Sequence, residues 1–161
     1  KGSCKNVEEV PADVREVFVT SHDISPSYHV RMQAAFQKAL SYSADRKVFG
    51  QAVGDYQLTQ VKLARMGLLL AVCRQFTYAV GRLLDQGEGQ MEASLVKVFA
   101  CKVSEWVTRE ALQIHGGMGI TNEYPCMRHM MNLETVLTYE GTHDVHLLIT
   151  GMDVTGLNAF K

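Results

Sequence analysis

Proline is scarce in this chain. The three prolines among 161 residues, at positions 11, 26 and 125, leave long stretches in which helices can run unbroken. Cysteine is scattered as well: Cys4, Cys73, Cys101 and Cys126 form no C-x-x-C pair, a pattern that favours reduced thiols in a cytosolic or matrix-like compartment over a disulfide framework. Neither sign of charge dominates. With 16 basic and 17 acidic side chains the net charge is -1, so no basic excess exists to drive nucleic-acid binding. A run of roughly 18 apolar residues, the least that spans a bilayer, is also missing. The longest candidate, Met66 to Cys73, stops at Arg74. The start, Lys1-Gly-Ser-Cys-Lys-Asn, has neither an initiator Met nor an apolar signal segment, and reads as part of a longer, non-secreted protein.

What remains is an ordinary globular composition, 47% hydrophobic and 20% charged, long enough to bury a real core. Residues 1–25 are mixed, and Arg15-Glu-Val-Phe-Val-Thr reads as a short strand. From Pro26 the pattern turns helical. Val30, Ala34, Phe36 and Leu40 share one face of a first helix ending near Asp45, and Gly50 and Gly54 open a loop. A second helix is expected from Tyr56 to about Asp85, with Leu58, Val61, Leu68, Val72 and Phe76 as its apolar set. Gln86-Gly-Glu-Gly-Gln90 breaks the chain. A third helix runs from about Met91 to Ile114, carries Leu95, Val98, Phe99, Val103, Trp106 and Leu112, and ends at Gly116-Gly117. Tyr124-Pro125 starts a short helix to about Leu133, and a last one spans Asp144 to Val154. The expectation is an all-α, antiparallel four-helix bundle.

Glu140, in Tyr139-Glu140-Gly141-Thr142-His143-Asp144, is the sharpest chemical candidate. A carboxylate before a glycine and a hydroxyl residue has free approach on one side and can act as a base. From spacing alone it is also an ordinary helix-start carboxylate. Gln113-Ile114-His115-Gly116-Gly117 is equally a helix C-cap, and Arg46 and Lys47 are helix-end cations. Thr142 reads as an N-cap and Phe160 as core. His143 and His146 stand three residues apart, but with no third ligand and no H-E-x-x-H they are not read as a metal site.

At these same segments the chain resembles the C-terminal helical domain of acyl-CoA dehydrogenases, over roughly Ala39 to Phe160. The tail from Tyr139 to Phe160 resembles the glutaryl-CoA dehydrogenase branch. The resemblance implies a non-matching segment at 1–25 and the helical domain at 26–161. It implies that Glu140 is the base that removes the α-proton of an acyl-CoA thioester, with Gly141 letting the substrate approach. In Asp45-Arg46-Lys47-Val48-Phe49-Gly50 it makes Arg46 and Phe49 part of an FAD site, with Gln57 a second contact from this region. Gln113, Ile114, His115, Gly116 and Gly117 would lie against the adenine-ribose end of an FAD bound by a neighbouring subunit, and Thr142 and Phe160 would also touch FAD. Further implications are a homotetramer, electron-transferring flavoprotein as acceptor, and decarboxylation of glutaconyl-CoA to crotonyl-CoA. The location would be the bacterial cytoplasm or the mitochondrial matrix. Two alternatives stand beside it: another acyl specificity, or a non-catalytic helical scaffold of the same fold. Counting back from Arg46 to the family's substrate-binding arginine lands on Ser21 to Asp23, where no arginine stands.

Overall fold

A computed structural model describes residues 12–160, with side chains from Tyr28 onward. Five helices carry the fold: α1 Ala12–Asp45, α2 Gln57–Leu84, α3 Gln90–His115, α4 Cys126–Thr138 and α5 His143–Thr155. Two-residue strands β1 (Lys47–Val48) and β2 (Gln51–Ala52) pair antiparallel between α1 and α2. The fold class is the mostly helical bundle that the periodicity predicts. α3 lies at its centre and packs against each of the other four helices.

Three local expectations are overturned. The strand at 15–20 is helix, because α1 already runs from Ala12 and passes through Pro26. A β-branched run lowers helix propensity by only fractions of a kcal/mol per residue, which a long cooperative helix overrides. The loop at 47–52 is a tight hairpin instead. Phe49 (φ 52) and Gly50 (φ 85) fill its two turn positions, both with positive φ, and Tyr56 closes it by donating to the Val48 carbonyl at 2.8 Å. α4 runs past Leu133 to Thr138.

The inner faces also differ from those read off the sequence. α1 buries Tyr28, Met32, Ala35 and Ala39, while Val30 and Leu40 are exposed. α2 buries Met66, Leu70, Cys73 and Val80, and turns Leu58, Val61, Leu68 and Val72 outward. Of the α3 set, Val103 is buried, while Leu95 is exposed. The residues at the inner contacts of α3 are small: Ala93, Ser94, Ala100, Cys101, Ser104, Thr108 and Ala111. Small side chains let helix axes approach closely, so the densest packing falls where hydrophobicity alone is not highest. Hydrogen bonds tie the layers together. His29 Nε2 pairs with Thr77 Oγ1 at 2.9 Å, and Arg74 donates to Gln33 at 3.1 Å, both between α1 and α2.

Candidate active site

Two clusters form at opposite ends of α3. The first surrounds the turn between α4 and α5. Tyr139 ends α4, Thr142 caps α5 by accepting from the Val145 N–H at 3.3 Å, and Glu140 and Gly141 bridge them with φ of 55 and 88. Positive φ is open to Gly141 and unfavourable for a glutamate, so the turn holds Glu140 in a conformation it would not choose alone. The Glu140 side chain is exposed.

The holding group comes from α3. Lys97 is 1% exposed, and its ammonium donates to three consecutive carbonyls: Tyr139 at 2.5 Å, Glu140 at 3.0 Å, and Gly141. An ammonium has three N–H groups, so its donor capacity is used in full. Burial pulls its pKa below the ordinary lysine value, opposed by Cys101 and Glu140 nearby. The positive charge also sits at the carbonyl end of α4, where the helix dipole is negative. Neither Lys97 nor its role is found by motif. The signal was positional: Ala93, Lys97, Ala100, Ser104 and Val107 recur at three or four residues, which puts a lysine in the core-facing stripe of α3.

His146, fully buried in α5, donates from Nε2 to the Glu140 carbonyl at 3.1 Å. Its Nδ1 is then left to accept from Ser94 Oγ at 3.0 Å. Burial lowers its pKa to about 4, partly offset by the Glu140 carbonyl and deepened by Lys97 and His143. The ring is therefore neutral, with both nitrogens engaged by protein. Phe160 packs with Met91 and Val145 against Ile149, beneath α5.

The second cluster lies at the other end of α3. Arg46, Val48, Val53 and Tyr42 from the α1 end and hairpin face Ile114, His115, Gly116, Gly117 and Met118 across a cleft of about 370 Å³. The 115 ring is buried and stacked on Tyr42, 4.4 Å between centroids, and its Nδ1 donates to the Ala111 carbonyl at 2.7 Å. Gly116 caps α3 with φ 58. Among the described residues a Cβ at Gly117 would meet no heavy atom within 4 Å, and its φ is not in the left-handed range, so none of them demands a glycine there. An exposed glycine beside an arginine with no ion pair among the described residues leaves open backbone and a free fork for a phosphate-bearing ligand. Phe49 is 95% exposed at the hairpin tip. Gln57 opens α2 and is exposed, outside the residues lining the cleft. Gln113 points its amide oxygen at Lys62 Nζ, 2.7 Å away.

The structure therefore gathers Arg46 with Ile114 to Gly117, and Glu140 with Gly141 and Thr142, but it separates the two groups. From Lys97 to His115 is 18 residues of α3, about 27 Å at 1.5 Å per residue.

A mostly helical domain of five helices centred on one long helix matches the C-terminal domain of acyl-CoA dehydrogenases. The family described as the acyl-CoA dehydrogenase C-terminal domain matches residues 24–155, and the chain belongs to it. The chain is 36% identical over 120 residues to the short-chain specific acyl-CoA dehydrogenase of Megasphaera elsdenii, covering 74% of this chain and 31% of that protein. Its identity to the mitochondrial very long-chain specific acyl-CoA dehydrogenase of Bos taurus is 35% over 141 residues, covering 81% of this chain and 22% of the relative. A solved glutaryl-CoA dehydrogenase from Mycobacterium smegmatis superposes with a TM-score of 0.86 at 37% identity, covering 90% of this chain and 38% of that one. Another structure of glutaryl-CoA dehydrogenase from that organism, in complex with FADH2, gives 0.84 at 35% identity, covering 88% and 37%. The chain thus spans well under half the length of each of these relatives. Among the described residues no helix is long and apolar enough to cross a membrane.

Proposed function

We propose that this chain supplies the base and one nucleotide-binding wall of an FAD-dependent acyl-CoA dehydrogenase. The carrying observation is Glu140: an exposed carboxylate on a positive-φ turn whose backbone is gripped by a buried lysine and a buried histidine. Strain of this kind, maintained by two buried donors, marks a group held for use. Glu140 takes the α-proton of the acyl thioester, and Gly141, lacking a side chain, leaves room for the thioester beside it. FAD, when bound, supplies the two-electron acceptor for the hydride from the β-carbon.

The cleft fits the cofactor's phosphate and nucleoside end. Arg46 offers a planar fork for the pyrophosphate, and the exposed backbone at Gly116 and Gly117 admits a nucleotide, with Gln113, Ile114 and His115 forming the helix end behind it. Phe49 and Gln57 would extend this wall, and Thr142 and Phe160 would meet the cofactor near Glu140. The cleft and the base lie roughly 27 Å apart on α3, so one chain does not wrap one compact site. That separation supports assembly of each site from more than one subunit. The outward apolar stripe Leu58, Val61, Leu68 and Val72 on α2 supports a homotetramer in the same way. Electron-transferring flavoprotein is the acceptor we assign, with the bacterial cytoplasm or mitochondrial matrix as location.

For the substrate, the Tyr139–Phe160 resemblance and the likeness to glutaryl-CoA dehydrogenase favour glutaryl-CoA, with decarboxylation to crotonyl-CoA. A second reading, another acyl chain, is favoured by similar identity to short-chain and very long-chain enzymes and by the missing arginine at 21–23. Turnover of the assembled enzyme with glutaryl-CoA, butyryl-CoA and palmitoyl-CoA decides between them. Carbon dioxide release with the first supports the glutaryl reading, and activity only with the others overturns it. A scaffold without flavin would have no use for the strained Glu140, or for an Arg46 with no ion pair among the described residues. Absence of flavin absorbance in the assembled protein would favour it.

A further inference from the structure

We propose that Lys97 is a positioning residue for the Glu140 base, its buried ammonium acting as the fixed point around which the 139–141 backbone is wound. The inference rests on the reading of Glu140 as base. A buried ammonium is costly unless its charge is compensated, and among the described residues Lys97 has no carboxylate in an ion pair. Its hydrogen bonds all go to backbone, to the carbonyls of Tyr139, Glu140 and Gly141, with the Tyr139 ring 5.9 Å from the ammonium as a further contact.

Three consecutive carbonyls do not converge on one point in a strand or a helix. Successive carbonyls alternate sides in the first and run parallel to the axis in the second. They converge here because Glu140 and Gly141 both take positive φ. The ammonium and the strained turn therefore depend on each other. Without the charge, three carbonyl oxygens lose their donor and Glu140 has no reason to stay left-handed. His146 adds a second donor to the Glu140 carbonyl from the α5 side. The backbone is thus fixed from α3 and from α5, while Glu140 itself is exposed. This anchoring ties the base to α3, the helix that packs against all four others.

The test uses the FAD-loaded enzyme containing this chain, with Lys97→Met as a near-isosteric neutral variant. The rate of flavin reduction at saturating acyl-CoA should fall about 100-fold, the usual consequence of displacing a reacting group by an ångström, with FAD content and substrate Kd unchanged. Hydrogen exchange in peptides spanning 139–146 should quicken. In the Glu140→Gln background the same substitution should cost nothing further, since groups acting as a unit are not additive. Full activity of Lys97→Met, unchanged exchange, or additive losses would each overturn the proposal. If Glu140→Gln itself retains turnover, the base reading has failed and takes this one with it. That outcome differs from a dead Glu140→Gln beside an active Lys97→Met, which sinks the positioning role alone. Should Lys97→Met not accumulate with FAD, Lys97→Gln, which keeps two N–H donors without the charge, is read by the same measurements.

Discussion

Glu140 and Arg46 are single side chains with opposite demands. As the proposed base, Glu140 presents an acceptor at one atom, so removing the charge while keeping the shape is the cleanest test. Glu140→Gln should reduce flavin reduction on the order of 10³-fold, with helicity and FAD content retained, measured by stopped-flow absorbance and circular dichroism. Turnover near wild type would return Glu140 to a surface carboxylate. Arg46 has no ion pair among the described residues and lines the glycine cleft. Losing a charge-assisted contact to phosphate costs roughly 1.5–3 kcal/mol, so Arg46→Ala in the assembled enzyme should raise the FAD Kd about tenfold to a hundredfold. Fluorescence titration reads this directly, and an unchanged Kd would leave Arg46 a helix-end cation. The two residues also differ in legibility. Both stand in recognisable motifs, whereas Lys97 does not, because its partners are main-chain carbonyls more than forty residues away.

Between elements, the docking of α5 on α3 depends on a neutral imidazole. His146 hydrogen-bonds Ser94 and the Glu140 carbonyl, and nearby Lys97 and His143 disfavour its protonation. Its folded pKa is about 4, below the ordinary value near 6.5. On acidification the unfolded chain takes up this proton first, so stability is full above about 6.5 and is lost as pH falls toward 4. The loss from this group amounts to up to about 3 kcal/mol. Urea unfolding between pH 7 and 4 should show it, and His146→Gln should flatten that part of the profile. An unchanged slope in the variant would mean that other groups carry the acid sensitivity. The hairpin β1–β2 makes a second point at this scale. Two glycines mark a break in the helical pattern at 50–54, but only the pairing of Lys47 with Ala52 and Val48 with Gln51 makes it a hairpin.

Across the whole molecule, the helices turn some large apolar side chains outward, with Leu58 80% exposed and Leu68 64% exposed. The base turn and the cleft sit at opposite ends of α3. In the proposed enzyme each is one wall of a site, and a planar cofactor against one wall buries little of its apolar surface. The 161-residue chain on its own should therefore give a strongly helical circular dichroism spectrum, yet show no heat of FAD binding at micromolar concentrations. Tight stoichiometric binding would mean that this chain closes a flavin pocket without a partner.

The sequence by itself determined the helical class, the end of α3 at Gly116, and the residues of the two motifs. Those features are local: apolar period, a glycine at a helix end, and short runs of specific residues need only neighbours along the chain. Tertiary structure decided the rest. On α2 two apolar faces compete, and hydrophobicity reports the period without saying which face turns inward. The choice of Met66, Leu70 and Cys73 over Leu58, Leu68 and Val72 follows from fit against α1 and α3. Residues 15–20 favour a strand locally and become helix because α1 propagates through them. Lys97 has the clearest physical reason of all. A lysine is written as a surface residue until three carbonyls from a distant turn meet its ammonium, and that meeting exists only in the folded chain.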